Sequence, residues 1–224
     1  MKVRLITVVI KIQVLVFLGI FSAISQDSDS PKRGFGLKGG LNLSNISESG
    51  TNGGGLSYSS RLGFHGGFFI HEPISKSFSL AIEVLYFQQG MKYDLSSSGL
   101  PIKVDAVLHY AQLPILPRYT IDLDKFRIYF NVGPYMGIAA QGDVKYTTPL
   151  GNATESIDVD EDNGLKPFDF GIIGGAGVFL KAGEGGFFLE PRYNFGLTDI
   201  IKDDQGVSTY NRTLSVSAGY MFEF

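Results

Sequence analysis

Apolar and polar residues alternate along most of this chain, in segments far longer than ordinary strands. From Gly34 to Ser44, Phe35, Leu37, Leu41 and Leu43 share one face, with Lys38 and Asn42 opposite. Phe78, Leu80, Ile82, Val84 and Tyr86 oppose Ser79, Ala81 and Glu83 in the same way. The pattern returns at Leu62 to Ile70, Phe126 to Ile138, Phe168 to Leu180, Phe187 to Leu197 and Leu214 to Phe224. A period of two places alternate side chains on opposite faces of a strand, whereas a helix would repeat at i, i+3 and i+4.

One segment departs from the pattern. Leu108 and Tyr110 share one parity, while Leu113, Ile115 and Tyr119 take the other. If every apolar residue faces the same way, the pattern requires a β-bulge between Tyr110 and Leu113. Pro114 and Pro117 fit an irregular stretch there.

The connections also alternate. Long Ser/Gly/Asn-rich or acidic stretches follow the first, third, fifth and seventh segments, and short turns such as Pro73 to Lys76 and Asp122 to Asp124 follow the others. Gln141 to Lys166 is the longest and most acidic connection. Strands of a β-sandwich average about 5 or 6 residues, and a tilted membrane strand needs about 9 to 11. The expected fold is therefore all-β: an eight-stranded antiparallel up-and-down transmembrane β-barrel with short periplasmic turns and long extracellular loops. Rings at strand ends are expected to form interfacial girdles, with Phe78, Tyr119, Phe126, Phe222 and Phe224 below and Tyr86, Tyr110 and Tyr210 above.

The N-terminus reads as an export signal. Lys2, Arg4 and Lys11 precede an apolar run, and Ala23 and Ser25 supply small residues for cleavage before Gln26. The expected organisation is a signal peptide over 1–25, a polar leader over 26–33 and a barrel over 34–224, in a bacterial outer membrane. No lipobox cysteine is present to carry a lipid anchor.

Composition narrows the chemistry. With no cysteine there is no disulfide, thiolate metal site or Cys nucleophile. A net charge of −3 lacks the basic stripe that nucleic acid requires. Gly34-Phe-Gly36-Leu-Lys-Gly39 matches a dinucleotide fingerprint in letters only, because it lies inside an alternating strand instead of between a strand and a helix.

Asp158, Asp160 and Asp162 are spaced like the first ligands of a Ca²⁺ loop, but Asn163 stands at the glycine position. They read first as a solvated acidic loop and second as a divalent-ion site. Lys38, Glu83, Arg127, Asp169, Glu190 and Arg192 all fall on inward faces and are expected to pair as a lumen charge network, since unpaired buried charges are costly. His65 and His109 are inward candidates for rim chemistry, yet neither comes with a nucleophile motif, and His71 falls near a periplasmic turn. No cofactor is expected.

Gly34 to Ser44, Tyr110-Ala-Gln-Leu-Pro-Ile115, Gly133-Pro-Tyr-Met-Gly137 and Tyr193 to Ile200 together resemble the PorT-like outer-membrane β-barrel proteins of Bacteroidota. The ending from Asn211 to Phe224 is similar to the way such chains close. The resemblance implies the barrel fold and no catalytic residues. In this reading Tyr220, Phe222 and Phe224 form the signal read by the barrel-assembly machinery. The other expected partners are outer-membrane lipid and lipopolysaccharide, and a protein partner through the extracellular loops. A closed structural or interaction barrel is the leading function. A narrow channel or a component of a transport or secretion system comes second, and an outer-membrane rim enzyme third.

Overall fold

The structure is a computed structural model that describes residues 32–49, 58–94, 102–157, 159, 165–201 and 208–224. The signal peptide, most of the leader, and Asp158, Asp160 and Asp162 lie outside the described residues.

Nine strands follow in chain order: β1 (Gly34–Ser49), β2 (Tyr58–Pro73), β3 (Phe78–Asp94), β4 (Lys103–Leu123), β5 (Phe126–Thr148), β6 (Gly151–Ile157), β7 (Phe168–Ala182), β8 (Gly185–Gly196) and β9 (Ser208–Glu223). Each pairs antiparallel with its neighbours, β1 pairs with β9, and β4–β5 pairing completes the ring. The ninth strand, β6, pairs only with the end of β5, so eight strands make the barrel. Closure leaves the ring of eight barrel strands without an open edge, which is what lets strands cross hydrocarbon. Short turns and both ends of the barrel chain gather at one rim, where the Phe224 N–H donates to the Arg33 carbonyl at 2.9 Å. The strand ends that lead into the long connections gather at the other.

Outside, the strands carry an apolar belt. Phe35, Leu37, Leu41, Phe64, Phe68, Phe130, Val132, Leu189 and Val216 are among its exposed members. At the short-turn rim, Phe78 meets Tyr119 at 5.1 Å between ring centres, and Phe35 stacks on Phe222 at 5.2 Å. Inside, glycines make room for rings. A Cβ on Gly219 would sit 2.6 Å from the tip of Phe188, and one on Gly177 would sit 2.3 Å from the Tyr129 ring.

Three expectations are corrected here. No bulge lies between Tyr110 and Leu113: β4 alternates without a break from Tyr110 to Tyr119, and its register with β3 runs unshifted from Gln112 to Lys103. The register shift lies between β4 and β5, where His109 faces Gln141 and Tyr110 faces Ala139, so the extra residue is Ala140 on β5. Tyr110 points inward and is 1% exposed, so it belongs to no girdle. Gln141 to Lys166 is not a loop throughout, because β5 continues to Thr148 and folds back as β6.

Candidate functional site

The lumen is filled in layers. Nearest the short-turn rim, Phe69, Tyr129, Phe179, Phe188 and Met221 form an apolar plug, with Phe69 and Phe188 edge to face at 5.5 Å. Above it, Lys38 from β1, Glu83 from β3, and Glu190 and Arg192 from β8 converge on the axis. Arg192 donates to both Glu83 oxygens, at 2.7 and 2.6 Å, and also bonds Glu190 through its Nε. Lys38 Nζ lies 3.4 Å from Glu83 and 3.5 Å from Glu190. Neutral donors complete the cluster: Asn131 and the Tyr129 hydroxyl bond Glu190 at 2.6 and 3.1 Å. Bidentate Arg–carboxylate geometry is the strong, directional form of ion pair.

The six expected lumen charges thus occupy three places. Lys38, Glu83, Glu190 and Arg192 meet. Arg127 lies at the short-turn rim, bonded to Asp122 and Glu223 and set over the Phe179 ring at 5.0 Å. Asp169 is higher, held by the neutral donors Tyr135, Asn211 and Thr198 at 3.2, 2.9 and 3.2 Å. Sequence reasoning missed Arg118, which is buried with its guanidinium 4.0 Å above the Tyr129 ring. Its signal was available: Ile115 and Tyr119 face outward, so parity puts Arg118 inside.

Apolar clusters lie beside and above the ions. Ala81, Leu116, Tyr135 and Ile173 form one that flanks them, with Ala81 on the short-turn side of Glu83 along β3, and Leu85, Phe87, Tyr110 and Ala139 form another above them. An eight-stranded barrel is just wide enough for such side chains to fill it.

The histidines separate. Asn42 donates to the carbonyls of Phe64 and Gln88, so its Oδ1 faces His65 Nδ1 at 2.6 Å, and His65 Nε2 then accepts from the Ser217 hydroxyl at 2.7 Å. This has the order of a nucleophile, base and orienting group. Yet the three are 0%, 4% and 1% exposed, and the ring stacks on Phe87. A substrate has no approach to Ser217. His71 bonds the Ser79 hydroxyl at 2.7 Å near the short-turn rim. His109 is a correction: it faces outward, 2.6 Å from the Tyr86 hydroxyl and 3.1 Å from Asp143. It was expected inside because Tyr110 was placed outside.

Above the belt the two faces exchange character. The β3–β4–β5 register puts Lys92, Lys103, Asp105, Asp143 and Lys145 on the outer face, joined by Arg61, which bonds Asp105 at 2.7 Å. The inner face there carries Met91, Val104, Leu108 and Val144, which line a cavity of about 370 Å³ in the mouth of the barrel. Residues 165–167 and 197–201 cross beside it. Leu165 bridges Ile201, and Lys166 pairs with Asp199 at 2.9 Å. Burial acts to raise the Asp199 carboxyl, but bonds from Lys166 and from the Thr209 and Ile201 N–H groups outweigh it and hold Asp199 below its ordinary value.

Residues 24–202 match the family described as outer membrane protein beta-barrel domain. The chain belongs to that family. It is an integral outer-membrane β-barrel protein of a bacterium. Solved structures similar to it include OprG from Pseudomonas aeruginosa, at 11% identity and a TM-score of 0.47, covering 87% of this chain and 97% of that one. Ail of Yersinia pestis, in complex with the heparin analogue sucrose octasulfate, matches at 16% identity and a TM-score of 0.43, covering 85% and 99%. The Neisserial surface protein NspA matches at 13% identity and 0.43, covering 85% and 97%. No curated protein matches the sequence.

Proposed function

We propose that this outer-membrane protein is a closed barrel that acts through its extracellular face and passes no solute along its axis. One observation carries the reading: the ion cluster of Lys38, Glu83, Glu190 and Arg192 lies between the plug of Phe69, Tyr129, Phe179, Phe188 and Met221 on the short-turn side and the cluster of Leu85, Phe87, Tyr110 and Ala139 on the other. An ion crossing would have to break bidentate pairs and displace packed rings. The sealed Ser217–His65–Asn42 chain supports a non-catalytic reading, because a nucleophile without access does no chemistry. The resemblance carried by Gly34 to Ser44 and Tyr193 to Ile200 supports a place in the PorT-like branch. Outward cations above the belt suit the phosphates of lipopolysaccharide, and the aromatic β9 end suits recognition by the barrel-assembly machinery. Planar-bilayer recording tests the central claim. Purified protein is expected to give no steady conductance, and well-resolved channels would overturn the closed reading.

A further inference from the structure

We propose that the extracellular mouth of the barrel is a binding site for a small apolar molecule of about the size of naphthalene. Met91, Leu108 and Val144 turn inward at a height where the outer face is already charged, with the buried side chains of Val104 and Ile200 beside them, so they line the inner wall of a mouth outside the hydrocarbon. Apolar wall in contact with water is unfavourable in proportion to its area, and a ligand that covers it gains that free energy.

The cavity has the size of a site. At about 370 Å³ it exceeds the roughly 150 Å³ cavity that takes benzene and falls within the range of about 300–1,000 Å³ typical of ligand pockets. Of its polar lining, Asn211 and Asp143 are already engaged, and Tyr93 and Tyr146 add neutral aromatic rings. Asn211 at the floor donates to Asp169 at 2.9 Å and to the Tyr110 hydroxyl at 3.4 Å. Asp143 at the edge accepts from His109, Ser156 and Gln141. The ligand therefore needs shape and apolar surface, with no charge. Below the floor, Leu85, Phe87, Tyr110 and Ala139 close the bore, so a ligand enters and leaves from above. The proposal stands on the mouth alone and does not depend on whether the lumen below conducts.

The methionines provide the test. Met91 lines the cavity, Met221 sits in the lower plug, and Met136 lies at a lipid-facing position of β5. With methyl-¹³C methionine and the full barrel in lipid nanodiscs, naphthalene is titrated and the methyl shifts are followed. The Met91 signal is expected to move saturably, Met221 to stay fixed, and Met136 to drift linearly as naphthalene partitions into lipid. Ala106→Trp, which fills the cavity, should weaken apparent binding tenfold or more while leaving the Met221 and Met136 positions unchanged. Val144→Phe serves the same purpose if Ala106→Trp does not fold. A Met91 signal that merely drifts in parallel with Met136, or a saturable shift that survives both variants, would overturn the proposal.

Discussion

The same strands β3, β4 and β5 build two regions with opposite polarity. From Phe78 to Tyr86 and from Tyr119 to Ala111 the outward residues are apolar and the inward ones include Glu83, Arg118 and Gln112. Beyond Tyr86 and Ala111 the outward residues include Gln88, His109, Lys92 and Asp105 beside Gly90 and Val107, and the inward ones include Leu108, Met91 and Val104 beside Gln89. The β3–β4 ladder continues through both regions with a constant register above Leu85, so no change in strand geometry accounts for the exchange. Its cause is the surroundings. Lipid covers the lower outer wall and rewards apolar surface there, while water covers the upper outer wall and leaves the interior as the place for apolar side chains. The lower region is a membrane barrel, and the upper one is built like a small soluble barrel on top of it.

The largest effect is expected in the lower interior. Replacing Glu190 by Gln leaves Lys38 and Arg192 sharing the Glu83 carboxylate, and breaking a buried pair from one side costs about 3–5 kcal/mol. Unfolding in urea from detergent should show that loss, together with altered heat-modifiable migration. An unchanged midpoint would mean that Glu190 contributes nothing net. The next effect compares the two outer walls directly. Val132→Arg places a charge in the middle of the apolar belt and should cost about 2–4 kcal/mol in a phospholipid refolding titration. Thr147→Arg, exposed on the same strand above the belt, should stay within about 0.5 kcal/mol. Equal penalties would erase the boundary between the regions.

That boundary marks where the sequence could be read and where it could not. Within the belt, parity alone placed Lys38, Glu83, Glu190 and Arg192 inside, because lipid imposes one rule on every strand. At Tyr110 the rule changes, and treating Leu108 and Tyr110 as outward produced a bulge that β4 lacks and sent His109 inward. The end of β5 and all of β6 were invisible for a related reason. Their outward positions carry Asp143, Lys145, Thr147 and Ser156, which resemble a loop when strands are sought by a lipid-facing stripe. Parity also gives a face but no height, so it could not separate Arg127 and Asp169 from the four charges that meet.

The absence of cysteine allows that boundary to be mapped residue by residue. Single cysteines from position 104 to position 119, carrying a nitroxide, should alternate between buried and exposed without interruption. On the exposed parity, collisions with oxygen should dominate from Tyr119 to Ala111, and collisions with a water-soluble nickel complex should dominate at His109 and above. A break in alternation between Tyr110 and Leu113 would restore the bulge. Oxygen-dominated collisions at 105 and 107 would remove the change of solvent.

The smallest effect tests what holds the upper region together. Asp199 bonds Lys166 at 2.9 Å and accepts from the Thr209 N–H at 2.8 Å, tying the crossing segments to the start of β9. Its carboxyl lies below the ordinary aspartate value despite burial acting the other way. A depressed pKa in the folded state means stabilisation that is complete above the unfolded value of about 3.9 and disappears as pH falls through the folded value. Amide exchange at Thr209 and Ile201, corrected for its intrinsic pH dependence, should therefore be flat near neutrality and rise a few-fold below about pH 4. Gly219 and Ser217, within the membrane part of the same strand, should show no such rise. Asp199→Asn should raise exchange at Thr209 at neutral pH and remove the acid limb. If Thr209 and Ser217 instead loosen together, the upper region does not open on its own, and the two parts of the barrel behave as one cooperative unit.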